Sequence, residues 1–168
     1  MLHWVLIFGL ASGLASPTAD IEDTDEEHCV MYVLGQHEDG EFILSDPVCY
    51  KTMPEVEVLL AENARNSVLA GRFGAITLGS YTIGRHFDGF NGTGSSVSIV
   101  GVSCTGGYWN TSAAWDNRIS SSYNGCARLR HYDLPNKGGT FQDTYGVGTT
   151  DNLSLLNNKV ESVSYHSS

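Results

Sequence analysis

The 168-residue chain carries 19 acidic residues against nine Lys and Arg, a net charge of −10, and it has no basic run. That balance excludes nucleic acid as a partner, because phosphate recognition needs a cationic stripe. The length suits one ordinary domain, or one domain with an extension.

Residues 1–19 read as a secretory signal peptide. The apolar run Met1 to Leu10 leads into small residues through Ala19, although no Lys or Arg precedes it. The run is too short for a membrane span, which needs about 20 apolar residues, and no later stretch reaches that length. The expected mature protein is therefore soluble, extracellular and monomeric. Residues 20–27 hold six of the 19 acidic residues and no base. They read as a solvated, disordered tail; a loose calcium buffer and a cleaved propeptide are the alternatives.

Residues 28–72 are expected to form a ββα extension. His28 to Leu34 and Glu41 to Leu44 are strand candidates around a turn at Asp39-Gly40. Pro54 then opens a helical pattern with Val56, Leu59, Leu60 and Ala64 on one face, and Gly71 suits the stop. Thr52 and Glu55 have the spacing of a capping box. The apolar helix face is expected to pack on the neighbouring domain rather than on a partner.

Residues 75–168 change style. Fifteen of the 19 glycines lie between Gly71 and Gly148, among short β-rich runs at 75–78, 96–100, 119–121, 127–130 and 160–165. This predicts a mainly β chain, a β-sandwich. The four cysteines, Cys29, Cys49, Cys104 and Cys126, allow three pairings in an oxidising compartment. Cys29–Cys49 with Cys104–Cys126 is preferred, because each pair stays within one segment. Sequons stand at Asn91, Asn110 and Asn152, so the chain is a possible glycoprotein.

The C-terminal part repeats itself. Arg85 to Ser95 returns 45 positions later as Arg130 to Thr140, with five of eleven positions identical. A second pair follows: Asp116-Asn117-Arg118-Ile119-Ser120-Ser121, then Asn157-Asn158-Lys159-Val160-Glu161-Ser162. Two such units of about 40 residues can bury against each other faces that neither could bury alone. In each copy an aromatic, Phe87 or Tyr132, precedes a glycine, Gly94 or Gly139, by seven residues. A tight hairpin folded back over a sheet needs that glycine, either for positive φ or for close approach.

This pattern resembles the βγ-crystallin superfamily, where each Greek-key motif carries an aromatic-and-glycine hairpin signature. Calcium-binding members add Asn/Asp-Asn/Asp-x-x-Ser/Thr-Ser before the last strand. The resemblance covers roughly residues 75–166, as motifs of about 75–124 and 125–168. It implies a double Greek-key β-sandwich. The first hexapeptide matches throughout; the second has Glu161 in the hydroxyl slot, and Gly92 and Lys137 replace the second aromatic of the hairpin signature.

The implied cofactor is Ca2+, held by Asp116, Asn117, Arg118 and Ser120 and by Asn157, Asn158, Lys159 and Glu161. Arg118 and Lys159 would contribute carbonyls, and Ser120 and Glu161 side-chain oxygens. In the family the fifth residue of one loop tends to complete the site centred on the other. Calcium takes six to eight oxygens, and these loops offer oxygens with no soft ligand. The alternative is that the same residues only cap and turn the loops.

His86 and His131 occupy equivalent repeat positions, so one structural cause, packing or hydrogen bonding, is expected for both, with a metal or catalytic role as the alternative. Tyr108, Trp109 and Trp115 read as core or rim packing, with a carbohydrate-stacking surface as the alternative. No nucleophile elbow, zinc-protease helix or phosphate loop occurs. The expectation is a non-enzymatic, secreted calcium-binding protein. The alternative is a peptidase inhibitor or antimicrobial toxin on the same fold, with an extracellular protein or carbohydrate as its target.

Overall fold

The computed structural model describes residues 25–66 and 79–168. The leader, residues 20–24, the strand expected at 75–78 and the helix stop at Gly71 lie outside the described residues. The chain is mainly β, in two sheets. The strands are β1 (His28–Gln36), β2 (Phe42–Leu44), β3 (Val48–Tyr50), β4 (Tyr81–Phe87), β5 (Ser96–Gly101), β6 (Thr105–Asn110), β7 (Ser121–Asn124), β8 (Arg128–Leu134), β9 (Gly138–Tyr145), β10 (Thr150–Asn152) and β11 (Ser162–His166), with one helix, α1 (Met53–Asn66).

The first sheet runs β10-β7-β4-β5-β1-β2, with β3 also on β1; the second runs β6-β11-β8-β9. Each half of the repeat therefore lends its third strand to the sheet built by the other half: β6 joins β11, and β10 joins β7. That exchange makes each sheet depend on both halves. Between the sheets lies one cluster that includes Ile83, Val97, Ile99, Trp109, Trp115, Ile119, Leu129, Leu153, Leu156, Val160, Val163 and Tyr165. Tyr108, Trp109 and Trp115 are all buried, so the trio serves packing and offers no stacking surface.

The segment expected as ββα has three strands. The third, Val48–Tyr50, was not legible because it is three residues long and pairs only with the start of β1. Nor does β1 stand apart from the repeat. It lies parallel to β5, from His28 opposite Ser96 to Tyr32 opposite Val100. Side chains of β1 alternate: Cys29 and Met31 face the main core, whereas Val30 and Tyr32 meet α1. Glu27, assigned by sequence to the disordered tail, is held on β5, where its amide meets Ser95 Oγ at 3.2 Å and its carbonyl accepts from Ser96.

Helix α1 covers the outer face of the first sheet. Val56 is fully buried against Val30 and Val100, with Leu59 and Leu60 half-buried beside them. Burying such a valine contributes about 1.5–3 kcal/mol. The capping box is half formed: Glu55 Oε2 accepts from the Thr52 amide at 3.0 Å, and the Thr52 hydroxyl donates to the same oxygen.

Both expected disulfides are present, Cys29–Cys49 across β1 and β3 and Cys104–Cys126 across the first motif. The second closes a 22-residue separation with Cys126 almost fully buried. Replacing both Cys104 and Cys126 by alanine should lower unfolding stability by roughly 2–4 kcal/mol, measured by chemical denaturation. A loss under about 0.5 kcal/mol would show that the sheets hold this corner unaided. Among the described residues no helix is long and apolar enough to cross a membrane.

Candidate functional site

The site begins with the two copies of Arg-His-aromatic-Asp. Arg85-His86-Phe87 ends β4 and Arg130-His131-Tyr132 lies in β8, each followed by a hairpin. Gly94 and Gly139 have φ of 79° and 76°. A β-carbon there would fall 2.1 Å from Asp88 Oδ1 and 2.0 Å from Asp133 Oδ1. Both reasons for a glycine, left-handed backbone and close approach, hold in both copies.

The last serine of each hexapeptide locks its hairpin in the same way. Ser121 Oγ donates to the Gly89 carbonyl at 2.6 Å and accepts from the Gly92 amide at 3.0 Å. Ser162 Oγ donates to the Leu134 carbonyl at 2.7 Å and accepts from the Lys137 amide at 3.1 Å. A second lock pairs asparagines, through one side-chain and one backbone N–H in each pair. Asn152 exchanges two hydrogen bonds with Asn91, and Asn110 exchanges two with Asn136. Asn110 Nδ2 also donates to Glu41 Oε1 at 2.9 Å, so both its N–H groups are occupied and a glycan there would displace them. Asn91 and Asn152 are exposed.

The two hexapeptides interlock. Asn117 and Asn158 both have φ of 54°, the left-handed region that asparagine tolerates. The Asn117 amide donates to the Val160 carbonyl at 3.1 Å, and the Asn158 amide to the Ile119 carbonyl at 3.0 Å. The fifth residues bond in the same pattern: Ser120 and Glu161 amides donate to Phe87 and Tyr132 carbonyls, and their own carbonyls accept from Leu153 and Thr111. The carbonyls of Arg118 and Lys159, by contrast, receive no hydrogen bond among the described residues. These are the two carbonyls the resemblance assigns to the metal.

Side chains break the symmetry. Ser120 Oγ donates to Asn158 Oδ1 at 3.0 Å, so the fifth residue of the first loop touches the second residue of the other. No matching bond joins Glu161 to Asn117, and the Glu161 carboxylate has no hydrogen-bond or ion-pair partner among the described residues. Asn157 Oδ1 is shielded from solvent and likewise has none. Buried polar atoms are normally paired, and a missing partner at a loop rich in oxygens fits a cation or an ordered water. Asp116 accepts from Asn117 Nδ2 at 3.3 Å, while the Arg118 side chain turns away to Asp88 at 2.7 Å and over the Trp115 ring. Lys159 is exposed. All eight expected ligands therefore lie in two loops joined to each other.

The paired histidines lie in the core. Both are fully buried, with rings 5.7 Å apart edge to face. Ser122 joins them, with Oγ 2.8 Å from His86 Nδ1 and 2.8 Å from His131 Nε2. His86 Nε2 meets the Tyr165 hydroxyl at 2.9 Å, and His131 Nδ1 faces the Gln142 carbonyl at 3.4 Å. Burial keeps both imidazoles neutral at pH 7, and a carbonyl can only accept, so for two neutral rings the direction of every bond follows. Tyr165 donates to His86, His86 to Ser122, Ser122 to His131, and His131 to Gln142. Burial, reinforced for His86 by its neighbour His131, pushes the His86 pKa well down, and burial lowers His131 to about 4. Sequence reasoning assigned the two rings one structural cause. It missed Ser122 and Tyr165, which lie 36 and 79 positions from His86.

Glu27, Cys29 and Cys49 also bring ligand atoms within 4.8 Å of one another, but the two sulfurs are bridged and hold no metal. No family model, curated protein or solved structure matches the chain.

Proposed function

We propose that the chain is a secreted, non-enzymatic calcium-binding protein whose two hexapeptide loops each hold one Ca2+ on a βγ-crystallin-like double Greek key. The observation that carries this reading is the pair of interlocked loops. In both, the fourth and fifth carbonyls are used within the protein and the third is left unbonded. The exchanged third strands and the repeated hairpin locks support the double Greek key. The donor set is all oxygen, as a hard cation requires. The unpaired Asn157 Oδ1 and the unengaged Glu161 carboxylate add acceptors that gain a partner when calcium binds.

Calcium that binds only the folded state stabilises it by mass action, about 1.4 kcal/mol per site at ten times Kd. For a chain of this size that raises Tm by about 3–6 °C per site. The Tm should therefore rise with millimolar calcium over chelator, and magnesium should do less. Glu161→Ala should reduce the rise, weakening its site more than about tenfold. Ser120→Ala should cost less, because a hydroxyl gives no charge. A Tm indifferent to calcium would refute the reading and leave an inhibitor or toxin role ahead.

A further inference from the structure

The outer face of the second sheet carries two arginines in adjacent rows. Leu129 and His131 point into the core, so Arg128, Arg130 and Tyr132 of β8 point outward. Cross-strand pairing sets them in rows. Arg128 lies between Tyr145 of β9 and His166 of β11, and Arg130 between Asp143 and Ser164. Asp143 is fully committed: Arg130 grips both its oxygens at 2.7 and 2.8 Å, and the Tyr145 hydroxyl donates to it at 2.9 Å. Arg130 also covers the Phe141 ring at 3.9 Å.

Arg128 is left over. Among the described residues its guanidinium has no ion pair or hydrogen bond, and its Nε is shielded from solvent without a partner. The His166 ring beside it bonds Ser164 Oγ at 2.8 Å. Burial first, then Arg128 and Arg130, and more weakly Lys137, lower the His166 pKa against the opposing pull of Asp143, which reports a positive field here. Tyr145 is 60% exposed and Phe141 47%. An arginine whose carboxylate neighbour, Asp143, is already gripped by Arg130, beside the exposed Tyr145 ring, is built for a ligand with one anionic group and a flat apolar face.

We propose that the row Tyr145–Arg128–His166 binds an acidic saccharide, with Arg128 taking its carboxylate or sulfate and Tyr145 stacking on the sugar ring. The net charge of −10 opposes polyanions such as nucleic acid. β9 ends the sheet and leaves a backbone edge, but Arg128 and His166 stand on the face of β8 and β11, where the backbone is already paired on both sides and a peptide main chain finds no partner. The site is independent of the calcium loops.

The test titrates metal-free, full-length protein with 3′-sialyllactose, 6′-sulfolactose, lactose, inorganic sulfate and tetraglutamate, read by amide NMR shifts. One or both acidic sugars should bind with Kd below about 10 mM, moving Arg128, Tyr145 and His166, and which one binds best tells carboxylate from sulfate. Lactose and sulfate should each bind at least about tenfold more weakly. Arg128→Gln should weaken binding about tenfold or more, and Tyr145→Ala, at an exposed position that leaves the fold intact, several-fold. Raising salt should weaken it as well. The proposal is overturned if neither acidic sugar binds, if lactose binds equally well, or if neither variant alters affinity. Equal binding of tetraglutamate would also overturn it and point to an acidic peptide.

Discussion

Acidification from pH 7 to pH 4 should destabilise the protein by roughly 3 kcal/mol or more, before any carboxylate is titrated out of its native pairing. The cause is the neutral pair His86 and His131. An unfolded histidine takes a proton near pH 6.5, whereas His131 in the fold does so only near 4, and burial and the neighbouring His131 hold His86 well below 6.5 too. A folded-state pKa below the unfolded one gives stability that is complete above about 6.5 and declines as pH falls toward the folded value. Each histidine contributes about 1.4 kcal/mol per pH unit across that window. His28 and His166 shift the same way, but they are less buried and add less. Asp143 and Asp39, held below the usual carboxylate range, add their loss only at lower pH. Chemical denaturation at a series of pH values should show the slope. A flat profile between pH 7 and 4.5, or imidazolium signals from His86 and His131 in the folded state at pH 6, would contradict the neutral assignment.

Ser122→Ala should cost about 2–5 kcal/mol at pH 7. Its hydroxyl accepts from one buried imidazole and donates to the other, so its removal strands two polar nitrogens at once. A buried group left unsatisfied costs about 1–3 kcal/mol. The variant should also titrate differently. Without the hydroxyl that donates to it, His131 Nε2 becomes a bare acceptor and its pKa should rise. Ser121→Ala, one residue away, is the informative neighbour. It frees a hairpin lock but leaves the histidines paired, so its pH profile should match the parent. If the two variants proved equally mild and left the pH slope unchanged, the chain of hydrogen bonds would not be the source of the acid sensitivity.

What the sequence revealed, and what it hid, follows from distance along the chain. The hairpins were legible because their needs are local: a glycine seven residues beyond an aromatic, whose left-handed backbone holds at both Gly94 and Gly139. Both disulfides followed from segment proximity. Strand β6 was hidden, since Thr105-Gly106-Gly107 carries little β signal and is held by pairing with β11. β9 was hidden for a similar reason: it starts with two glycines, and its order comes from β8. The parallel joining of β1 to β5 leaves no local mark at all, being fixed by Cys29 and Met31 on one face and Val30 on the other. Within the candidate site, the hexapeptides announced their own residues. The reciprocal bonds between them, the unpaired Asn157 and the link from Ser120 to Asn158 emerge only when the two halves exchange strands.

Calcium binding by the two interlocked loops is decided by calorimetric titration of metal-free protein with calcium, with Glu161→Ala and Ser120→Ala alongside. Two sites with Kd between about micromolar and millimolar are expected. One of them should weaken more than about tenfold in Glu161→Ala, and less in Ser120→Ala. No heat of binding at millimolar calcium, in protein whose fold is verified by its melting transition, would contradict it.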